Sequence, residues 1–206
     1  MQETIPSSKT QILDAAANCF MNLGSDVASI DDIARSIGAT KGRIYHHYPS
    51  KGSLLSAVRM RAVAFTLDAL ATTVGVHKAP ADKLRLMAYT HVLTVIKTLP
   101  YHKVVLQHYR ENVAKSTTEY ERKLIAEIED RRRTYENLFR EVIDQGIKNG
   151  AFADRDSSVS LHSVLILLNS PVFWYTPPKT GVEQNRQAIA NQLADMALAS
   201  LGVETI

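Results

Sequence analysis

Apolar residues recur at three- and four-residue steps along nearly the whole chain, and no segment alternates apolar and polar residues long enough to make a convincing strand. Ile12, Ala15, Ala16, Cys19, Phe20 and Leu23 set the pattern. Their spacing predicts an amphipathic helix with one buried stripe, capped at its start by Ser7 or Ser8 and closed by Gly24. Nine glycines and seven prolines in 206 residues fall below the usual combined share of about 12%, and these are the residues that sheets and turns consume. An all-α fold follows. At about 150 residues per domain the length allows one large domain or a small one joined to a larger one. With 45% apolar and 22% charged residues the chain is an ordinary globular protein, neither disordered nor a membrane bundle.

The helices can be placed from their start and stop signals. Ile30, Ile33, Ala34 and Ile37 make a second, short helix, with Ser29 and Asp32 spaced as a capping box and Gly38 as the stop. Thr40 can cap a third helix that Pro49 ends, because proline lacks the N–H donor and biases its predecessor away from helix. Ser50 can cap a fourth, with Leu54, Val58, Ala62, Phe65 and Ala69 as its apolar stripe, running to a break at Gly75–Pro80. That break is the expected boundary: residues 1–52 form one domain, 50–75 a linking helix, and 76–206 a second helical domain. Further helices are expected over Ala81–Thr98, Tyr101–Ala114, Thr117–Asn149, Ser157–Asn169 and Val182–Leu201.

The formal net charge of +3 says little, but its distribution says more. Between Ile33 and Leu67 there is no acidic residue, whereas Arg35, Lys41, Arg43, Lys51, Arg59 and Arg61 all fall there. A patch of one sign attracts polyanions. A helix, a three-residue turn and a short helix inside such a window read as a helix-turn-helix, whose second helix enters the DNA major groove. At about 100° per residue, placing Ile44 and Tyr48 inward turns Gly42 and His46 outward, with Arg43 and Tyr45 beside them. Arg43 carries the fork that suits guanine O6 and N7. Gly42 lets the backbone approach the groove, and Lys51 at the start of a helix suits a phosphate.

At these residues the chain resembles the tetracycline-repressor (TetR) family of bacterial transcription regulators. The matching block is Ile12-Leu-Asp-Ala-Ala through Phe20, Asp32-Ile-Ala, Gly38-Ala-Thr-Lys-Gly-Arg-Ile-Tyr-His-His-Tyr48 and Ser50-Lys51 with Leu54-Leu55. It covers about the first quarter of the chain, and the family usually has Phe where Tyr48 stands. The resemblance implies an all-helical homodimer with an N-terminal DNA-binding domain and a C-terminal ligand-binding and dimerisation domain. Carried over by position, Thr40, Lys41, Arg43, Tyr45 and His46 are the groove-facing set, His47 and Lys51 are phosphate contacts, and Ser29 and Gly42 are counted with them. The run Gly146-Ile-Lys-Asn-Gly-Ala-Phe152 followed by Asp156 is similar to the family's link between its seventh and eighth helices.

For the second domain the expectation is a mostly apolar pocket whose ligand releases DNA. Met87 and His91, then Val105, His108 and Tyr109, then Tyr135 and Phe139 lie about one turn apart and present mixed aromatic and imidazole faces. His162, Asn169 and Trp174 come from the uncharged stretch Ser157–Pro178 and are expected to close it. An aromatic or acyl ligand suits these residues. Trp174-Tyr175 followed by Pro177 is similar to family members that sense acyl-CoA thioesters. Arg131, Arg132 and Arg133 span three helix positions beside Glu127, Glu129 and Glu136, which reads as a salt-bridged solvated face rather than a CoA phosphate site.

Dimerisation is expected through the last two long helices, with Ile189, Leu193, Ala197 and Leu201 repeating at four-residue steps. The uncharged stretch has too short a continuous apolar core to span a bilayer and is expected to be buried in protein. The N-terminus has no secretory pattern and Cys19 is alone, so a cytoplasmic location without membrane partners is expected. None of G-x-S-x-G, G-x-x-x-x-G-K-[ST] and H-E-x-x-H occurs, and no histidine pair has ligand spacing, so neither an enzyme nor a metal or cofactor is expected. The alternative is a helical carrier or interaction module without sequence-specific DNA binding, which salt-sensitive DNA binding would separate from a regulator.

Overall fold

A computed structural model describes residues 8–107 and 118–203. The described residues form ten helices: α1 (Ser8–Leu23), α2 (Ile30–Ser36), α3 (Lys41–His47), α4 (Lys51–Val74), α5 (Pro80–Lys97), α6 (Leu99–Gln107), α7 (Glu119–Lys148), α8 (Ser157–Asn169), α9 (Pro171–Trp174) and α10 (Val182–Ser200). They contain no strand. The all-α expectation holds, and the breaks fall where the caps and glycines put them, although Ser7, one of the two caps expected for α1, lies outside the described residues. Gly24 and Gly38 end α1 and α2 with φ of +81° and +61°, a conformation that costs a side-chain-bearing residue a clash with its own Cβ. Ser29 caps α2 in a true capping box: its hydroxyl accepts from the Asp32 N–H (3.2 Å) and its N–H donates to the Asp32 carboxylate (3.0 Å). Those bonds to Ser29 hold the Asp32 carboxyl below its usual range. Thr40 caps α3 by accepting from the Arg43 N–H at 3.3 Å.

Pro100 does not separate helices as a break. It sits in the first turn of α6, where its missing N–H would have had no partner, so α6 starts at Leu99 rather than at Tyr101. The further part of the helix expected to Ala114 lies outside the described residues.

Two compact units form, neither contiguous in sequence. The first gathers the described parts of residues 1–62 and 100–130, the second residues 63–99 and 131–203. In the first, α1 packs on α2 and α2 on α3. Ile12, Ala16, Phe20, Ile33, Ile44, Leu54 and Val58 are buried, and the Tyr101 hydroxyl on α6 donates to Asp14 on α1 at 2.6 Å. In the second, α5 packs along α10 and beside α8 and α9. Leu84, Met87, Val92, Phe139, Ile143, Leu161, Val164, Leu193 and Ala197 belong to its core. At the α7–α8 link the Phe152 ring lies on Gly146 so closely that a Cβ there would overlap it, which gives that sequence run its physical reason.

Two expectations about the C-terminal helices are corrected. Leu193, Ala197 and Leu201 do not form an outer dimerisation stripe. All three are buried in the chain's own core, with Ile189 half-buried against it. The stretch Ser157–Trp174 is apolar and long enough by composition to cross a membrane, but only 39% of it is buried in protein. Ser160, Leu161, Val164, Leu165 and Leu168 face inward, while Val159, Ile166 (71% exposed), Phe173 (69%) and Trp174 (52%) face out, and Met196 of α10 is exposed as well. The stretch has two apolar faces with different neighbours, which composition alone cannot reveal.

Candidate DNA-binding face and candidate effector site

Ile44 and Tyr48 anchor α3. Both are buried, and burial pushes the Tyr48 phenol up to about 12, with Tyr120 adding to the shift. With those two fixed inward, Thr40, Lys41, Gly42, Arg43, Tyr45 and His46 are all exposed and His47 is half-buried, as the wheel requires. The outward surface therefore carries a guanidinium, an ammonium, a phenol and two imidazoles on two turns of helix.

The cations of this face are held by the protein itself. Arg43 donates from Nε to the Ser8 hydroxyl and from Nη2 to the Gln11 side-chain oxygen, each at 3.1 Å. Lys41 pairs with Asp31 at 2.6 Å across the turn. Lys51 Nζ donates to the Asp26 carbonyl at 3.2 Å. The His47 Nε2 lies 3.3 Å from the same Ser8 hydroxyl, and its ring meets His46 edge-on at 5.2 Å. These are exposed interactions of small net worth, so they preset side-chain direction without closing the face. Sequence reading missed Ser8, Gln11, Asp31 and Asp26. None belongs to the basic helix, and only Asp31 left a signal, an acid on α2 just before the turn; Asp26 acts through its main-chain carbonyl. Ser29 is occupied as the cap at the start of α2.

In the second unit the structure brings together part of the expected effector set. Met87, His91, Tyr135 and Phe139 are buried side by side, with His91 5.4 Å from the Tyr135 ring and 6.1 Å from Phe139. The Tyr135 hydroxyl and His91 Nδ1 are 3.1 Å apart, while Nε2 finds no partner of good hydrogen-bond geometry. Asn169 lies close enough to favour the protonated imidazole slightly, but burial dominates and pulls His91 down to about 4. Burial likewise drives the Tyr135 phenol far above its ordinary value. At neutral pH this is an uncharged polar cluster inside an apolar core.

The rest of the set is not gathered there. His162 and Trp174 are exposed on the outer side of α8 and α9, with the indole N–H 3.4 Å from the Ser170 hydroxyl. Val105 is half-buried on α6 in the first unit, and His108 and Tyr109 lie outside the described residues. Arg132 pairs with Glu136 at 2.9 Å, in line with a solvated face. Two clefts stand out, and neither is lined by His91, Tyr135 or Phe139. One of about 670 Å³ runs between α1 and α2 past Asp14, Asn18, Cys19 and Ile37, and one of about 320 Å³ lies by Lys78, Arg85, Tyr89 and Asn191. Burial and the nearby Asp32 push the Cys19 thiol up, away from reactive thiolate character. Among the described residues no group of three potential metal ligands occurs.

Residues 12–58 match the family described as bacterial regulatory proteins, tetR family, and residues 77–201 match the tetracyclin repressor-like C-terminal domain. The HTH-type transcriptional repressor KstR2 of Mycobacterium tuberculosis is 22% identical over 189 residues, covering 90% of this chain and 91% of that protein. Among solved structures, the TetR family transcriptional regulator PfmR from Thermus thermophilus superposes with a TM-score of 0.74 at 26% identity, over 91% of this chain and 97% of its own. AibR, solved in complex with isovaleryl coenzyme A and operator DNA, gives a TM-score of 0.74 at 23% identity, over 92% and 97%. Matched at both domains, carrying the helix-turn-helix with its basic face outward, the chain belongs to the TetR family of bacterial transcription regulators.

Proposed function

We propose that this protein is a ligand-responsive transcriptional repressor that binds a two-fold or quasi-two-fold operator as a homodimer and releases it on taking up a small apolar effector. The observation that carries the reading is the outward face of α3, six exposed turn and helix positions set by two buried anchors. Arg43, Lys41, Thr40, Tyr45 and His46 read base edges, and Lys51 and His47 hold phosphates. The exposed apolar side chains of α8, α9 and α10 supply the dimer surface, since a patch of this kind on a soluble chain marks an interaction site.

The effector contacts the neutral cluster of His91, Tyr135 and Asn169. A core built only for stability gains nothing from burying an imidazole with an unmatched nitrogen, which costs free energy unless something hydrogen-bonds to it. The cluster holds no charge at neutral pH, which suits an aromatic, acyl or acyl-thioester group. AibR, with its isovaleryl coenzyme A, is an example within the fold. Because Met87, His91 and Phe139 are packed together, taking up the effector must spread α5 from α7, and that displacement is the source of the allosteric signal. The location is the cytoplasm, where the operator is.

The test is a titration of the duplex from the gene's own upstream region across about 50 to 200 mM salt. A repressor shows steep salt dependence and a preference over random duplex. A helical carrier shows neither. A thermal-shift and operator-release screen over fatty acids, aromatic acids, steroids and their CoA thioesters then tests the effector: a true one raises stability and dissociates DNA together.

A further inference from the structure

Resting on the DNA-binding reading above, we propose that Glu121 is an internal competitor for the DNA backbone phosphate at the start of α4, so that the DNA-free protein holds that seat closed with its own carboxylate. Ser50 precedes α4, and its hydroxyl accepts from the Ser53 N–H at 2.9 Å while the Ser53 hydroxyl accepts from the Ser50 N–H at 3.0 Å. Lys51, which the operator reading assigns to a phosphate, is the first residue of α4, and the first-turn N–H groups of a helix have no partner within it. Glu121 arrives from the first turn of α7, 71 residues further along, and accepts from the Ser50 hydroxyl at 2.9 Å. It lies against Gly52 so closely that a Cβ there would overlap the carboxylate, so the glycine is what admits it.

A carboxylate at a helix N-terminus is stabilised by the aligned N–H groups, and a phosphate seeks the same groups for the same reason. Two anions repel each other there, so either occupies the seat only when the other leaves. Glu121 has somewhere to go. Thr118 caps α7 by accepting from the Glu121 N–H at 3.1 Å, and Thr-x-x-Glu is the spacing at which a glutamate turns back to its own cap residue. The carboxylate can thus exchange a seat on α4 for one on α7 without being stranded. Since α7 continues from Glu121 to Tyr135 and Phe139 as one helix, the competitor rides on the element that carries the proposed effector cluster.

The experiment uses the full chain, a fluorescent random-sequence duplex of about 30 base pairs and moderate salt. Glu121→Gln keeps the shape and removes the charge, and is expected to bind about three- to tenfold tighter than wild type. Glu121→Asp keeps the charge but retracts it from Ser50, and is expected to bind tighter as well, which guards against a glutamine variant that folds poorly. Glu119→Gln is the control, because Glu119 is exposed and paired with Lys123 at 2.8 Å, so it alters net charge equally without touching α4. If Glu121→Gln binds no tighter than Glu119→Gln and Glu121→Asp no tighter than wild type, while the wild type shows salt-dependent binding, the competitor is refuted and the DNA-binding reading stands. If the wild type shows no salt-dependent binding, the reading falls and the competitor with it.

Discussion

In the proposed operator complex, Arg43 and Lys51 separate the two jobs of a DNA-reading surface at the scale of single side chains. In the proposed complex Arg43 exchanges Ser8 and Gln11 for a base edge, whereas Lys51 exchanges a backbone carbonyl for a phosphate. Arg43→Ala is therefore expected to cost about 1–3 kcal/mol on the operator and little on random duplex, and Lys51→Ala to weaken both alike, as read by parallel titrations. His91 gives a prediction of a different kind. In the unfolded chain its imidazole takes a proton near 6.5, in the fold only near 4. Between those values the unfolded chain binds more protons, so stability is complete above the upper one and declines as pH falls toward the lower, by about 3 kcal/mol in all. His91→Phe removes this dependence. Urea midpoints at neutral pH and near pH 5 should differ less in the variant than in the wild type. The Arg43 face was legible in the sequence because a two-turn helix with two apolar residues leaves little freedom in where the others point. The acceptors that hold Arg43 and Lys51 were not, because Ser8, Gln11 and Asp26 reach them only through tertiary placement.

Among the elements, the N-terminal helices were readable because each carries its own punctuation: Ser29, Gly38, Thr40 and Pro49 act locally, on the backbone groups next to them. The C-terminal helices were harder. Leu193 and Ile166 are equally apolar and equally periodic, yet one is in the core and the other on the surface, a distinction set by which helix happens to lie alongside. The four-residue α9 has too little sequence to announce itself. The α7–α8 link shows a long-range cause behind a short motif. Gly146→Ala drives a methyl into the Phe152 ring, which is itself buried. A loss of about 1–3 kcal/mol in unfolding free energy is expected, and chemical denaturation measures it. The double variant with Phe152→Ala should lose less than the sum of the two single changes.

For the whole molecule, the proposed dimer divides the apolar residues into those that hold one chain together and those assigned to hold two. Leu193→Asp puts a charge in the core and should prevent stable folding. Ile166→Asp puts the same charge on the outer face and should leave a folded monomer with intact helicity and weak operator binding, as read by sedimentation and circular dichroism at micromolar concentration. A folded monomer from Leu193→Asp, or an unaltered dimer from Ile166→Asp, would show the face to be wrongly assigned.

Trp174, the chain's one tryptophan, stands half out in water on that same face. If the proposed dimer forms through that face, the indole is a built-in optical gauge of pairing. Emission excited at the indole band should shift to shorter wavelength and resist acrylamide quenching as dilution is reversed, while the Ile166→Asp chain stays red and quenchable at every concentration. Because no second indole contributes, the light reports this one surface, and in the proposed dimer it times subunit exchange with no label attached.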